Sequence, residues 1–196
     1  MRARYDKLTQ AELERVAAEL ALWARPGLVI LLEGDLGSGK TTFARAFLRS
    51  LAADPALEVP SPTFSLMQAY DELHVPATHA DLYRLASSSD TQELGLDEAA
   101  SRSILLVEWP DRLGGQRFED CLTIRFSGEG ELRSLLLEPQ GRWVALLQRA
   151  SDTADFVAAS EAAGAERRHF EGDASSRRYE MLTLRGEPVL LMDMPE

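Results

Sequence analysis

Residues 28–51 read LVILLEGDLGSGKTTFARAFLRSL, and this stretch decides the fold. An apolar run of strand length, residues 28–32, meets a glycine-rich turn that opens directly into a helical pattern. Gly34, four residues, then Gly39, Lys40 and Thr41 complete the phosphate-binding loop pattern. Gly34, Gly37 and Gly39 let backbone N–H groups close on a polyphosphate without side-chain clash. The helix starting near Lys40 turns its positive end toward the same anion. Lys40 has the length to reach the β and γ phosphates of a nucleotide, and the Thr41 hydroxyl is of the type that ligates Mg²⁺. The strand before and the helix after are the context that this motif requires. Residues 34–39 (Gly34, Asp35, Leu36, Gly37, Ser38, Gly39), with Lys40, Thr41 and Thr42, are therefore the expected nucleotide-binding element.

Working outward, the composition frames what surrounds this loop. The chain has 196 residues, 45% hydrophobic and 27% charged, the proportions of a water-soluble globular protein. Its length suits one domain with a real core plus a small appendage. No apolar run approaches a membrane span, and the N-terminus lacks the apolar core of a secretory signal, so a cytoplasmic location is expected. Cys121 is the only cysteine, which excludes an internal disulfide and a cysteine-rich zinc site. The formal net charge of −11 makes the chain a poor general binder of nucleic acid, because such binding depends on neutralising phosphates.

Upstream of the loop, residues 8–23 carry a helical pattern. Thr9 is the expected N-cap, with Glu12 three residues on as in a capping box, and Leu13, Val16, Leu20 and Trp23 face the core. Downstream, residues 54–62 form a proline-rich loop and residues 64–70 a strand. Ser61 and Thr63, either side of Pro62, place two hydroxyls just beyond the phosphate-loop helix. In nucleotide hydrolases that position often carries a switch that senses the γ phosphate; the alternative is an ordinary turn with capping hydroxyls. Residues 78–84, THADLYR, read as a strand end, residues 90–100 as a short helix interrupted at Gly95, and residues 103–107 as a buried strand ending in Glu108-Trp109-Pro110.

An apolar strand ending in a carboxylate is the expected second half of a phosphate-loop site, holding Mg²⁺ or orienting the attacking water. Glu108 is the stronger candidate and Asp81 the second; a solvated strand-end acid is the alternative for each. Residues 121–126 and 131–137 alternate as a β-hairpin about Gly128-Glu129-Gly130. Residues 141–149 form a short closing helix. The expected organisation is a nucleotide-binding domain over residues 1–150, a linker over 151–166, and a β-rich tail over 167–196. His74, His79 and His169 form no helical metal pair, and His79 alone neighbours a candidate acid. Trp109 is read either as a lid beside the nucleotide or as packing. The cluster Arg167, Arg168, Arg177 and Arg178 is read either as a phosphate binder or as a solvated basic face.

GDLGSGKTTFAR, VPSPTFSL, HADLYRL, LGLDEA and ILLVEWPDRL follow one another in that order with compact spacing. Together they resemble the bacterial TsaE (formerly YjeE) family, the small ATPase of the tRNA threonylcarbamoyladenosine pathway, over about residues 8–137. The resemblance implies an α/β P-loop NTPase with a mixed central sheet flanked by helices. It implies ATP and Mg²⁺ binding, weak intrinsic hydrolysis, and partnership with TsaD and TsaB proteins, tRNA being reached only through that complex. Carried over to this chain, residues 37–42 hold ATP, Thr41 and Glu108 hold Mg²⁺, Ser61-Pro62-Thr63 is a switch-like loop, and Asp81 is the acid of the DLYR motif. Ala80 stands where many members have an aromatic residue, a departure expected to alter packing and not chemistry. The working site set is thus Lys40, Glu108, Asp81 and Thr63 for catalysis, residues 34–42 with Ser61 for the nucleotide, and Thr41, Glu108 and Asp81 for the metal.

The tail resembles another family. FEGDASSRRYEML followed by VLLMDMPE is similar to the start of aminoglycoside-phosphotransferase-like N-acetylmuramate and N-acetylglucosamine kinases. That likeness puts Gly172 to Ser176 at the nucleotide-covering loop of a kinase N-lobe and implies a fragment without the catalytic lobe. Two other functions compete with a partner-dependent ATPase. One is a small P-loop kinase acting on a metabolite or nucleotide, which ordinarily carries an arginine-rich lid; residues 53–100 contain only Arg84. The other is a nucleotide-gated binding module without useful turnover.

Overall fold

The chain is represented by a computed structural model that describes residues 2–85, 91, 93–128, 130–165, 167–170 and 178–193. It divides into two compact units, Met1–Val144 and Ala145–Glu196.

The first unit opens on strand β1 (Ala3–Leu8) and helix α1 (Gln10–Ala21). Sequence periodicity placed a helix from residue 8; the strand before it carries mostly exposed side chains and has no apolar alternation to betray it. Thr9 caps α1 as expected, its hydroxyl accepting from the Glu12 N–H while the Glu12 carboxylate accepts from the Thr9 N–H at 2.8 Å. Leu13, Leu20 and Trp23 are buried, but Ala17 takes the core position expected of Val16, which is only half-buried.

Strand β2 (Val29–Glu33) leads through the glycine-rich turn into helix α2 (Lys40–Ala52). Strands β3 (Met67–Tyr70), β4 (Ala77–Asp81), β5 (Ile104–Glu108), β6 (Cys121–Ser127) and β7 (Arg133–Pro139) complete a sheet of seven strands in the order β1-β7-β6-β2-β5-β4-β3. The four central strands β6, β2, β5 and β4 run parallel, and antiparallel strands close both edges. This is the mixed sheet of a P-loop fold. Helix α3 (Leu96–Arg102) begins at Gly95, which adopts the left-handed conformation as the N-cap; Thr91 and Glu93 before it are helical, so Gly95 is the interruption that the sequence places there. Residues 64–66 turn before β3, leaving Phe64 84% exposed where a strand residue was expected.

Strand alternation decides which residues face which layer. On one face, Val29, Leu105, Val107, Ala80 and Cys121 pack with Leu96 and Ala100 of α3 and with Leu113 of a short 3-10 turn, Pro110–Leu113. On the other face lie Ile30, Leu32, Leu106 and Phe126, and the Phe126 ring meets Phe43 of α2 edge-on at 5.8 Å. His79, Asp81 and Glu108 share the parity of this α2 face, and Asp81 pairs in register with Glu108. The pattern that buries the core thus also aims both acids at the start of α2. Cys121 is buried at its strand start and donates its thiol to Gln140 Oε1 at 3.2 Å.

Helix α4 (Arg142–Ala158) is longer than the closing helix expected over residues 141–149. It continues to Ala158, into the alanine-rich stretch expected as a linker over 151–166, because alanine carries the highest helix propensity. Its start is pinned to the first unit. Asp120 accepts from the Arg142 backbone N–H and guanidinium, both at 2.7 Å, and the buried Trp143 indole donates to the Val29 carbonyl at 3.0 Å.

The second unit contains a separate antiparallel sheet of three strands, β8 (Arg167–Phe170), β9 (Arg178–Leu184) and β10 (Glu187–Asp193), with β9 in the middle. A turn at Arg185-Gly186 joins β9 to β10. Residues 172–176, the expected nucleotide-covering loop of the kinase-like tail, lie outside the described residues.

Candidate functional site

The loop between β2 and α2 is built by local constraints. Gly34 has φ +153°, and a Cβ there would sit 2.8 Å from Ser38 Oγ and 2.9 Å from Phe126 Cβ. A larger residue would push the turn off the sheet. Gly39 has φ +105° and opens α2 with no side-chain cap. The first-turn N–H groups of α2 are therefore left to whatever anion enters.

Lys40 is buried to 4% exposure, and burial lowers its pKa, against the opposing pull of Glu108, Asp81 and Asp35. Its ammonium donates to the Gly34 carbonyl at 2.6 Å and the Asp35 carbonyl at 2.8 Å, and stands 3.9 Å from the Trp109 ring centroid. Trp109 holds that place with φ +62°, an uncommon conformation for a bulky residue and of the kind found where a side chain must be aimed. Its ring also contacts Tyr83 at 4.9 Å.

Two acids meet two hydroxyl-bearing segments. Glu108, 2% exposed, accepts from the Thr41 hydroxyl on Oε2 at 3.0 Å and from His79 Nε2 on Oε1 at 2.9 Å. Asp81, 3% exposed, accepts on Oδ2 from Ser61 at 2.7 Å and Thr63 at 2.9 Å, and on Oδ1 from the Tyr83 N–H at 3.0 Å. The sequence grouped both acids as metal candidates, and the geometry gives them different neighbours. Glu108 touches the P-loop threonine; Asp81 ties down the Ser61-Pro62-Thr63 loop. The backbone reinforces this tie, since the Asp81 N–H donates to the Leu66 carbonyl at 2.9 Å.

A pocket of about 290 Å³ collects these groups. It is lined by residues 36–42, Ser61, Thr63, Asp81, Tyr83, Glu108 and Trp109. Every sequence-predicted site residue lines it except Gly34 and Asp35, whose carbonyls hold Lys40 from behind. A larger groove of about 930 Å³ opens on the other sheet face, over Leu31, Thr123 and Arg125. It lacks Lys40, Thr41, Asp81 and Glu108, so size does not mark the chemistry here.

The donor set fits a nucleotide polyphosphate with a hard divalent cation. Among the described residues no cluster of three or more His, Cys, Asp or Glu side chains suits a metal. One hydroxyl and one carboxylate fit an ion such as Mg²⁺, which keeps several waters and takes its remaining ligands from phosphate oxygens.

The sequence missed two residues. Arg133, at the start of β7, donates to the Ser38 carbonyl at 3.0 Å and the Gly37 carbonyl at 3.2 Å, fastening the hairpin to the phosphate loop. Nothing in a lone arginine after a hairpin turn signals this. His79 was noted only as a neighbour of Asp81, whereas its partner is Glu108, 29 residues away in the chain.

A family model described as "Threonylcarbamoyl adenosine biosynthesis protein TsaE" matches residues 8–135, most of the first unit and more than half of the chain. The chain belongs to the TsaE family. It is 39% identical over 103 residues to the tRNA threonylcarbamoyladenosine biosynthesis protein TsaE of Rickettsia bellii, covering 53% of this chain and 71% of that protein. It is 37% identical over 121 residues to the Bacillus subtilis protein of the same name, covering 61% of this chain and 74% of that protein. The solved structure of YdiB from Bacillus subtilis superposes with a TM-score of 0.66 at 28% identity, over 78% of this chain and 96% of that one. TsaE membership and the P-loop fold identify a nucleotide-binding protein of the ATPase type. Among the described residues, no helix is long and apolar enough to cross a membrane.

The basic cluster of the tail divides. Arg167 is 6% exposed and paired with buried Glu180 at 2.6 Å, which commits its guanidinium to structure and not to a phosphate. Arg177 lies outside the described residues.

Proposed function

We propose that this chain is the ATP-hydrolysing component of the machinery that makes N6-threonylcarbamoyladenosine in tRNA. It acts with TsaD- and TsaB-like proteins in the cytoplasm and reaches tRNA only through them. The observation that carries this reading is the contact of Glu108 Oε2 with Thr41 Oγ1 beside the buried Lys40, within a chain of the TsaE family. It joins the two halves of a phosphate-loop site across 67 residues of sequence.

In this reading residues 34–42 cradle the polyphosphate with backbone N–H groups, and Lys40 leaves its carbonyl partners to stabilise charge on the β and γ phosphates. Thr41 and Glu108 hold Mg²⁺, with Asp81 reaching the same centre through the Ser61 and Thr63 hydroxyls. The metal, when bound, neutralises charge that develops on the transferred phosphoryl group. Thr63 and Ser61 sense the γ phosphate, and their release from Asp81 couples nucleotide state to the surface around Phe64. The expected output is a switch on the partners, since the pocket has room for little beyond phosphates and the groups that hold them. The tail, residues 167–196, belongs to this proposal as a kinase N-lobe-like segment, and none of its residues is assigned to the site.

Glu108→Ala tests the assignment. Nucleotide binding by calorimetry should persist while hydrolysis is lost. A normal hydrolysis rate in that variant would move the metal-holding role to Asp81.

A further inference from the structure

We propose that His79 is the positioning residue of the site: it holds one oxygen of Glu108 so that the other is aimed at Thr41 and the pocket. This inference rests on the ATPase reading above and adds a residue to it.

A buried carboxylate needs donors, and Glu108 is 2% exposed. An ionised carboxylate only accepts hydrogen bonds, so at 2.9 Å the His79 Nε2 must carry the proton and donate it to Oε1. That leaves Oε2 to the Thr41 hydroxyl at 3.0 Å. The two oxygens are thereby assigned different work: one is fixed to the sheet, the other presented to the P-loop.

His79 is well placed to act as a fixed post. It sits inside β4, paired with Gln68 of β3 on one side and Leu106 of β5 on the other, and its side chain is 0% exposed. Its other ring nitrogen, Nδ1, is buried without a hydrogen-bond partner. A core position that needed only volume would be filled by leucine, without an orphaned polar atom. The imidazole leaves one acceptor unsatisfied, and the bond it gains in return is the one to Glu108. Groups that orient a metal-holding carboxylate act in this way, and losing them typically costs about 10- to 100-fold in activity or metal affinity.

The test measures ATP hydrolysis by the full chain with TsaD and TsaB proteins, alongside ADP binding, for the wild type, Glu108→Ala and three substitutions of His79. A Gln side chain carries its amide nitrogen about as far out as Nε2; an Asn carries it only as far as Nδ1. We expect His79→Leu and His79→Asn to lower kcat by about 10- to 100-fold, with KM for ATP and ADP affinity within about threefold, and to raise the Mg²⁺ concentration for half-maximal rate. His79→Gln should recover most of kcat. In the Glu108→Ala background, adding His79→Leu should have no further effect, since the two residues act as one unit. Three results would overturn the positioning role: folded His79→Leu turning over within about twofold of wild type, Gln and Asn variants of equal activity, or losses that add in the double variant. If His79→Leu does not fold, the Gln and Asn pair decides the matter. Normal hydrolysis by Glu108→Ala would move the metal-holding role to Asp81 and end the positioning role with it, whereas no ATP hydrolysis by the wild type with its partners would bring down the ATPase reading itself, so the two failures are distinguishable.

Discussion

The two sheets of this chain are built to different ends. The seven-stranded sheet of the first unit has four parallel central strands, apolar on both faces, and buries the acid at the end of β5 to 2% exposure. The three-stranded sheet of the second unit buries the ion pair of Arg167 with Glu180 and leaves Val189, Leu190 and Met192 at least 40% exposed. A parallel sheet covered by helices on both faces brings strand ends together from distant parts of the sequence, and ligand sites form at such ends. A three-stranded antiparallel piece has no comparable crevice and little core. Both units bury charge, but for different reasons. Lys40, Asp81 and Glu108 converge on a pocket, while Arg167 and Glu180 form a buried ion pair between neighbouring strands.

The sharpest way to break this contrast is Lys40→Ala. Removing the cation that clamps the phosphates should lower ATP turnover by at least about 100-fold, because such groups act in the transition state where charge develops. Turnover like that of wild type would place the chemistry elsewhere. A smaller loss is expected from Arg133→Ala. With the Gly37 and Ser38 carbonyls released, the loop should lose its preorganisation and ATP affinity should fall about tenfold with kcat less affected, measured as KM and Kd.

Asp120→Ala probes the first unit's own stability. Hydrogen bonds from the Arg142 backbone N–H and side chain hold the Asp120 carboxyl below its usual range. Because folding depresses this pKa, the stabilisation is present above the ordinary carboxylate value and is lost as pH falls through the folded value. The variant should therefore be less stable at pH 7 by about 1 kcal/mol, and the gap should close as pH drops below about 4, read by denaturant unfolding across pH. A gap independent of pH would remove the carboxylate from the account.

Glu180→Ala should have the least effect on the chemistry. It removes the buried carboxylate that accepts from Arg167 and should loosen the second sheet, seen as faster hydrogen exchange across β9, while ATP turnover stays within about twofold of wild type. A fall in turnover would give the second unit a part in catalysis.

Much of this was legible in the sequence because it depends on local pattern. The strand–loop–helix of residues 28–51, the capping box at Thr9 and Glu12, and the strand ending in Glu108 are each written within a few residues. The resemblance then joined the segments into one site. What escaped depends on pairing across the sheet. β1 is an exposed edge strand with no alternation to reveal it. Arg133 reaches Ser38 across 95 residues, and His79 reaches Glu108 only because β4 and β5 pair in parallel register. The two acids looked equivalent as strand-end carboxylates; only the geometry separates the one that touches Thr41 from the one that holds Ser61 and Thr63. The boundary near residue 150 reads as a change of texture, yet α4 runs across it because alanine, serine and acid also make an acceptable helix.

The central claim is partner-dependent hydrolysis at the Lys40, Thr41 and Glu108 site. The most direct test is phosphate release from ATP by the full chain, alone and with TsaD and TsaB proteins, for the wild type and Lys40→Ala. Slow release by the chain alone, a clear rise with both partners, and loss of that rise in the variant are expected. Transfer of the γ phosphate to a small molecule without partners, or a rise that survives Lys40→Ala, would contradict the claim.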